Sequence, residues 1–163
     1  MAVKKILTYD GRAGDAQVQV NLEFDNKQQN GLGIPLPEGK LRVYKMDGDE
    51  SLQFVGEDLV AHTPKDEKVR VFLGHAFDVV GERKQTQSRK LTDRSREESY
   101  EIRIRNHKSE TVEVVAVEHL WGDWTILRSS GDYRQKDAHT VEFPLQVPAD
   151  GEVVIDYTVH FRW

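Results

Sequence analysis

The sequence predicts an all-β fold, specifically an antiparallel immunoglobulin-like β-sandwich carrying a long charged hairpin. Apolar and polar residues alternate strictly along most of the chain, and turn-forming residues interrupt these runs at sandwich spacing. No stretch sustains a 3.6-residue apolar period with capping signals at both ends. Side chains on a strand point alternately to opposite faces, so period-two patterning marks strands with one buried and one wet side. Many short runs of this kind separated by turns belong to sandwiches or barrels.

Residues 4–9 alternate weakly and lead into a glycine-bearing tether, residues 10–15, so this segment is read as a strand for its own sheet or a neighbour's. Val18, Val20, Leu22 and Phe24 then alternate with polar residues. Residues 31–37 are too broken by Gly and Pro for regular structure and read as an ordered loop. Leu41 and Val43 begin a strand that Asp47-Gly48 turns into residues 52–55, a hairpin in which the glycine is expected to supply positive φ. Val69, Val71 and Leu73 continue the series, followed by Tyr100, Ile102 and Ile104. Residues 112–120 are apolar on both faces for part of their length, as a central strand requires. Residues 124–128, then Val141, Phe143, Leu145 and Val147, and finally Val153, Ile155, Tyr157, Val159, Phe161 and Trp163 complete the pattern. We expect one body over residues 1–163, within which residues 1–37 are a candidate β subunit leaning on residues 38–163.

The 163 residues carry 23 Lys+Arg against 28 Asp+Glu, a formal charge of -5. Hydrophobic residues make up 37%, too rich in Val, Ile and aromatics for disorder. No apolar run approaches the roughly 18 residues that span a bilayer as a helix. With no cysteine there is no disulfide framework, thiolate nucleophile or Cys-based zinc site.

Charge concentrates in the middle. Residues 83–108 hold nine Lys/Arg and four Asp/Glu. Arg83, Lys84, Arg89, Lys90, Arg94 and Arg96 make a candidate interaction arm for phosphate, an anionic polysaccharide or an acidic partner. The plainer reading is a long two-stranded hairpin, wet on both faces, with cross-strand Arg–Glu pairs. An exposed hairpin also presents edges that invite pairing with another chain. Nucleic acid is not expected, because acids interleave and no aromatic lies between Phe77 and Tyr100 to stack a base.

Chemistry-bearing motifs are sparse. His62, His75, His107, His119, His139 and His160 form no H-x-H, H-x-x-H or H-E-x-x-H pattern. Glu118 and His119 fall on opposite faces of a strand and cannot chelate together. Asp47-Gly48-Asp49-Glu50 lacks calcium-loop spacing, and Gly31-Leu32-Gly33 runs into Ile34-Pro35, which blocks a helix start. No nucleophile elbow occurs. The sequence is therefore expected to carry no catalytic residue, cofactor or metal. Trp121, Trp124 and Tyr133 cluster around Gly122-Asp123 as candidate glycan contacts, with core packing as the alternative.

Several strings resemble a known family. These are Asn30-Gly31-Leu32-Gly33-Ile34-Pro35-Leu36-Pro37-Glu38-Gly39-Lys40-Leu41-Arg42-Val43-Tyr44, Leu52-Gln53-Phe54-Val55-Gly56-Glu57-Asp58 with His62-Thr63-Pro64-Lys65, and Gly74-His75-Ala76-Phe77-Asp78-Val79-Val80. Residues 98–106 and the Gly122-Asp123-Trp124 turn match as well. Together they resemble the C-terminal β domain of bacterial mucoidy-inhibitor-A-like conserved hypothetical proteins, over about residues 18–163. The resemblance implies a terminal domain of a larger exported protein, with a periplasmic or cell-surface location in that parent. The family has no established activity, so no functional residue carries over. The expected role is a non-catalytic module for protein–protein interaction or self-association in the bacterial envelope, with polysaccharide binding as the alternative.

Overall fold

The computed structural model describes residues 2–13 and 16–163. The chain is all-β, with eleven strands and two single-turn 3-10 segments among the described residues. It divides into two compact units, Met1–Ile6 with Gln19–His75, and Leu7–Val18 with Ala76–Trp163. Three strands contribute to both: β1 (Lys4–Asp10), β2 (Gln17–Asp25) and the 25-residue β5 (Lys68–Thr92).

In the first unit β3 (Gly39–Met46) and β4 (Leu52–Val60) form a separate antiparallel pair, in register from Gly39 opposite Val60 to Met46 opposite Leu52. Their turn is closed by the Asp47 N–H on the Ser51 carbonyl at 2.9 Å. Positive φ falls on Glu50, at 64°, rather than on Gly48 as the sequence suggests. Phe24, Val69 and Val71 form a small core covered by Leu22, Leu32, Leu36, Leu41, Val43, Val60 and Leu73.

The loop between β2 and β3 is ordered, and Asn26 is the reason. Its buried amide donates to the carbonyls of Ile34 at 2.7 Å and Pro64 at 3.0 Å, while its oxygen accepts the Gly33 N–H at 3.0 Å. Gly33, with φ 91°, sits so close to Gln28 that a Cβ would lie 2.7 Å from a backbone nitrogen. Only glycine fits there.

The second unit is built on a nine-stranded mixed sheet, in the order β8-β11-β6-β5-β2-β1-β7-β10-β9. The new strands are β6 (Ser95–Asn106), β7 (Val112–His119), β8 (Asp123–Ser129), β9 (Arg134–Asp137), β10 (Thr140–Val147) and β11 (Gly151–Arg162). One pairing departs from the expected antiparallel arrangement: β1 runs parallel to β7, with Leu7 opposite Val114 and Asp10 opposite Val117. Parallel neighbours need a long connection, and here more than a hundred residues separate the partners. The N-terminal strand lies inside its own sheet, between β2 and β7. Gly14 and Asp15 of the tether lie outside the described residues.

The sheet curls back on itself. Phe143 of β10 meets Tyr157 of β11 at a ring separation of 5.2 Å although five strands lie between them in the sheet order. Leu7, Tyr9, Val79, Ile102, Ile104, Val114, Ala116, Phe143, Leu145 and Ile155 fill the interior. Val115, on the other face of β7, is buried too, as the two-sided apolar run predicts. Asn106 repeats in this unit the device of Asn26, donating to the carbonyls of Glu110, Val147 and Pro148 and accepting the Lys108 N–H.

Candidate functional site

The charged segment folds as the hairpin of β5 and β6, but the structure divides its cations among three environments. Arg83 faces inward, opposite Ile102 across the ladder. Its guanidinium makes three hydrogen bonds of 2.9–3.0 Å to Glu118, whose side chain is only 2% exposed. Arg83 therefore belongs to the interior rather than to an exposed arm. Arg89 pairs with Glu97 and Arg96 with Glu98, and Lys90 pairs with Asp93 beside the turn. Of these, only Arg89–Glu97 spans the two strands as the hairpin reading predicts; Arg96 and Glu98 both lie on β6. Lys84 and Arg94 are exposed, and neither has an ion-pair partner among the described residues.

The hairpin is not wet on both faces. β11 pairs with β6 over its whole length, from Gly151 opposite Asn106 to Arg162 opposite Ser95, so Ser95, Glu98 and Ser99 are buried. The Trp163 N–H reaches the Arg94 carbonyl at 3.0 Å, and Arg96 lies over the rings of Phe161 and Trp163. The β5 arm differs. Every residue from 84 to 92 is exposed. Its other neighbour, β2, begins at Gln17, and the Gly81 N–H already bonds the Ala16 carbonyl at 2.9 Å. Residues 85–92 thus run beyond β2, and among the described residues no strand pairs with their other edge.

Behind the hairpin lies a polar cluster that the motif search missed. Glu118 receives, besides Arg83, the Tyr157 hydroxyl at 2.5 Å. Tyr100 stacks on Tyr157, carries the Arg83 guanidinium 4.0 Å above its ring, and donates to Glu98 at 2.5 Å. Burial, with Glu118 adding to it, raises the Tyr157 hydroxyl far above the ordinary tyrosine range. Burial and the hydrogen bond to Glu98 push Tyr100 up to about 12. For Arg83, burial disfavours the charge, but the bonds and attraction of Glu118 outweigh it and hold the guanidinium protonated. Both Glu118 oxygens are thus engaged by the protein's own donors. One signal was available: Val114, Ala116, Glu118 and Leu120 share one parity, and an acid in an otherwise apolar row needs a partner.

The structure brings Trp121 and Trp124 together at Ala138–His139 but leaves Tyr133 further along the strands, beside Phe143. Trp121 is 61% exposed and stacks on His139 with centroids 4.6 Å apart, so it does not continue the buried strand; Leu120 does. The Trp124 indole donates to the Ala138 carbonyl at 3.0 Å, and Tyr133 packs beside Phe143. The histidines stay apart: His119 faces away from Glu118 and bonds Asp10 at 2.8 Å, and the His62 ring accepts the Glu38 N–H. Among the described residues no three His, Asp or Glu side chains are placed to hold a metal ion. Among the same residues no helix is long and apolar enough to cross a membrane.

Comparison with protein-family models, curated proteins and solved structures finds no match.

Proposed function

We propose that this chain is a non-catalytic immunoglobulin-like β-sandwich module of the bacterial envelope, which binds an extended acidic protein segment along the open edge of β5. The observation that carries the reading is the arm at residues 84–92, exposed throughout and extending past its neighbour. An unpaired edge supplies main-chain donors and acceptors, and strand addition uses them with little demand on sequence. Lys84, Arg89 and Lys90 lie on this edge, and no acid occurs between residues 83 and 92. Two copies joined edge to edge in antiparallel fashion would set these cations against one another, which disfavours self-association and favours an acidic partner. The sandwich assignment draws on the meeting of Phe143 and Tyr157, and the envelope location on the family resemblance alone.

The test is an amide-shift titration with an extended eight-residue peptide alternating Thr and Glu, and with its Thr–Lys counterpart. Shifts confined to residues 84–92, seen with the acidic peptide and abolished by Ser88→Pro, support the reading. Equal responses to both peptides, or none, overturn it. A second reading, glycan contact, is favoured by the exposed Trp121–His139 stack. Flat tryptophan fluorescence across a panel of envelope polysaccharides removes it.

A further inference from the structure

The first unit contains a cavity of about 900 Å³, well within the range of small-molecule sites. Its walls come from β1, β2, β3, β4 and β5 of that unit, with Val20, Leu22 and Phe24 along one side. It exists because the apolar layer is filled at one end only. Phe24, Val69 and Val71 pack under Leu41 and Val60, whereas further along the strands Val55 and Tyr44 remain exposed, the Tyr44 ring edge-on to Phe54.

The charged residues lining this space, Lys5, Arg42 and Lys45, share one sign. In β3 the row Leu41, Val43 ends in Lys45, and in β5 the row Val71, Leu73 ends in His75. In β1, Lys5 follows Val3. Arg42 joins Lys5 and Lys45 as the third lining cation and is partly offset by Glu57 at 3.1 Å. No lining residue is acidic, although the whole chain carries a charge of -5. Among the described residues neither Lys5 nor Lys45 has an ion-pair partner. Apolar walls leading to unpaired cations complement a ligand with one long apolar chain and one anionic end.

The geometry points to this cavity as a binding site for a free long-chain carboxylate, its alkyl chain between β3–β4 and the β2–β5 strands and its carboxylate among Lys5, Lys45 and His75. The chain fills the unfinished end of the apolar layer, where burial of hydrocarbon is the driving force. The cations then choose anion over cation. The site is separate from the β5 edge, so the two proposals stand or fall independently.

Isothermal titration calorimetry with dodecanoate, below its micelle-forming range, tests it on the full chain against dodecyltrimethylammonium, which has the same tail and the opposite charge. One dodecanoate per chain, bound at least tenfold more tightly than the cation, is the expected result. The exposed-site double variant Lys5→Glu/Lys45→Glu should lose at least tenfold in dodecanoate affinity. Val55→Trp, which places bulk in the cavity wall, should lose a similar amount, with circular dichroism verifying that both variants fold. Ser88→Pro, on the β5 edge, should bind as the parent does. No heat with dodecanoate, equal affinity for both amphiphiles, or unchanged affinity in the folded charge-reversal variant overturns the proposal. Flotation with phosphatidylglycerol vesicles in the absence of dodecanoate binding also overturns it, because that would assign the cations to a membrane surface.

Discussion

Arg83 is the residue whose meaning changes most between sequence and structure. In sequence it opens a basic run; in the fold it neutralises a buried carboxylate. Removing one partner of such a pair strands the other in low dielectric, at a cost of about 3–5 kcal/mol. Arg83→Met should therefore lower stability by roughly that amount in urea denaturation. The double variant Arg83→Met/Glu118→Leu should recover most of the loss, since a well-packed apolar pair replaces a buried ion pair at little net cost. Tyr100 adds a pH signature. In the folded state it holds its proton up to about 12, whereas an unfolded tyrosine releases it near 10. The folded state then binds more protons between these values, so its contribution is complete below about pH 10 and is lost as the pH rises towards 12. Alkaline denaturation followed by tyrosinate absorbance should show steep loss over that window, and Tyr100→Phe should flatten it.

At the scale of elements, close approaches decide which strands meet. Tyr9 of β1 rests directly on Gly81 of β5, where an added Cβ would come within 2.3 Å of the ring. Gly81→Ala should cost about 1–3 kcal/mol through overpacking, and much less in a Tyr9→Leu background, as a double-mutant cycle in thermal denaturation would show. Two of the buried asparagines, Asn26 and Asn106, do for loops what Gly81 does for strands. Each gathers several carbonyls from distant segments and holds a turn closed. In sequence each looks like an ordinary turn residue, because the carbonyls it serves lie up to 42 positions away. The β3–β4 hairpin, by contrast, is a local structure and was legible from alternation and the Asp47-Gly48 turn, apart from the position of positive φ.

At the scale of the whole molecule, the parallel pairing of β1 with β7 sets what truncation can reveal. β1 is internal to the nine-stranded order, and Leu7 and Tyr9 are almost fully buried. Deleting residues 1–11 should therefore abolish cooperative unfolding in calorimetry, instead of releasing an optional strand for exchange between chains. A folded, cooperative truncated form would show that β1 is dispensable to the sheet. The edge strands β8 and β9 and the overhanging end of β5 are where the outside of the molecule can be altered without opening its interior.

Period-two alternation, turn chemistry and the absence of helical periodicity determined by themselves that the chain is all-β, and where most strands run. They are local properties: side-chain direction along a strand and backbone freedom at a turn depend on a few neighbouring residues. The alternating rows of β2, β10 and β11 were readable for that reason. Which strands pair, which cations face inward and where an apolar layer is left unfilled were decided only by tertiary structure. Arg83 meets Glu118 across 35 positions, Leu7 meets Val114 across more than a hundred, and the cavity is bounded by five strands. Such contacts depend on the sum of packing over the whole sheet, and no window of sequence contains both partners.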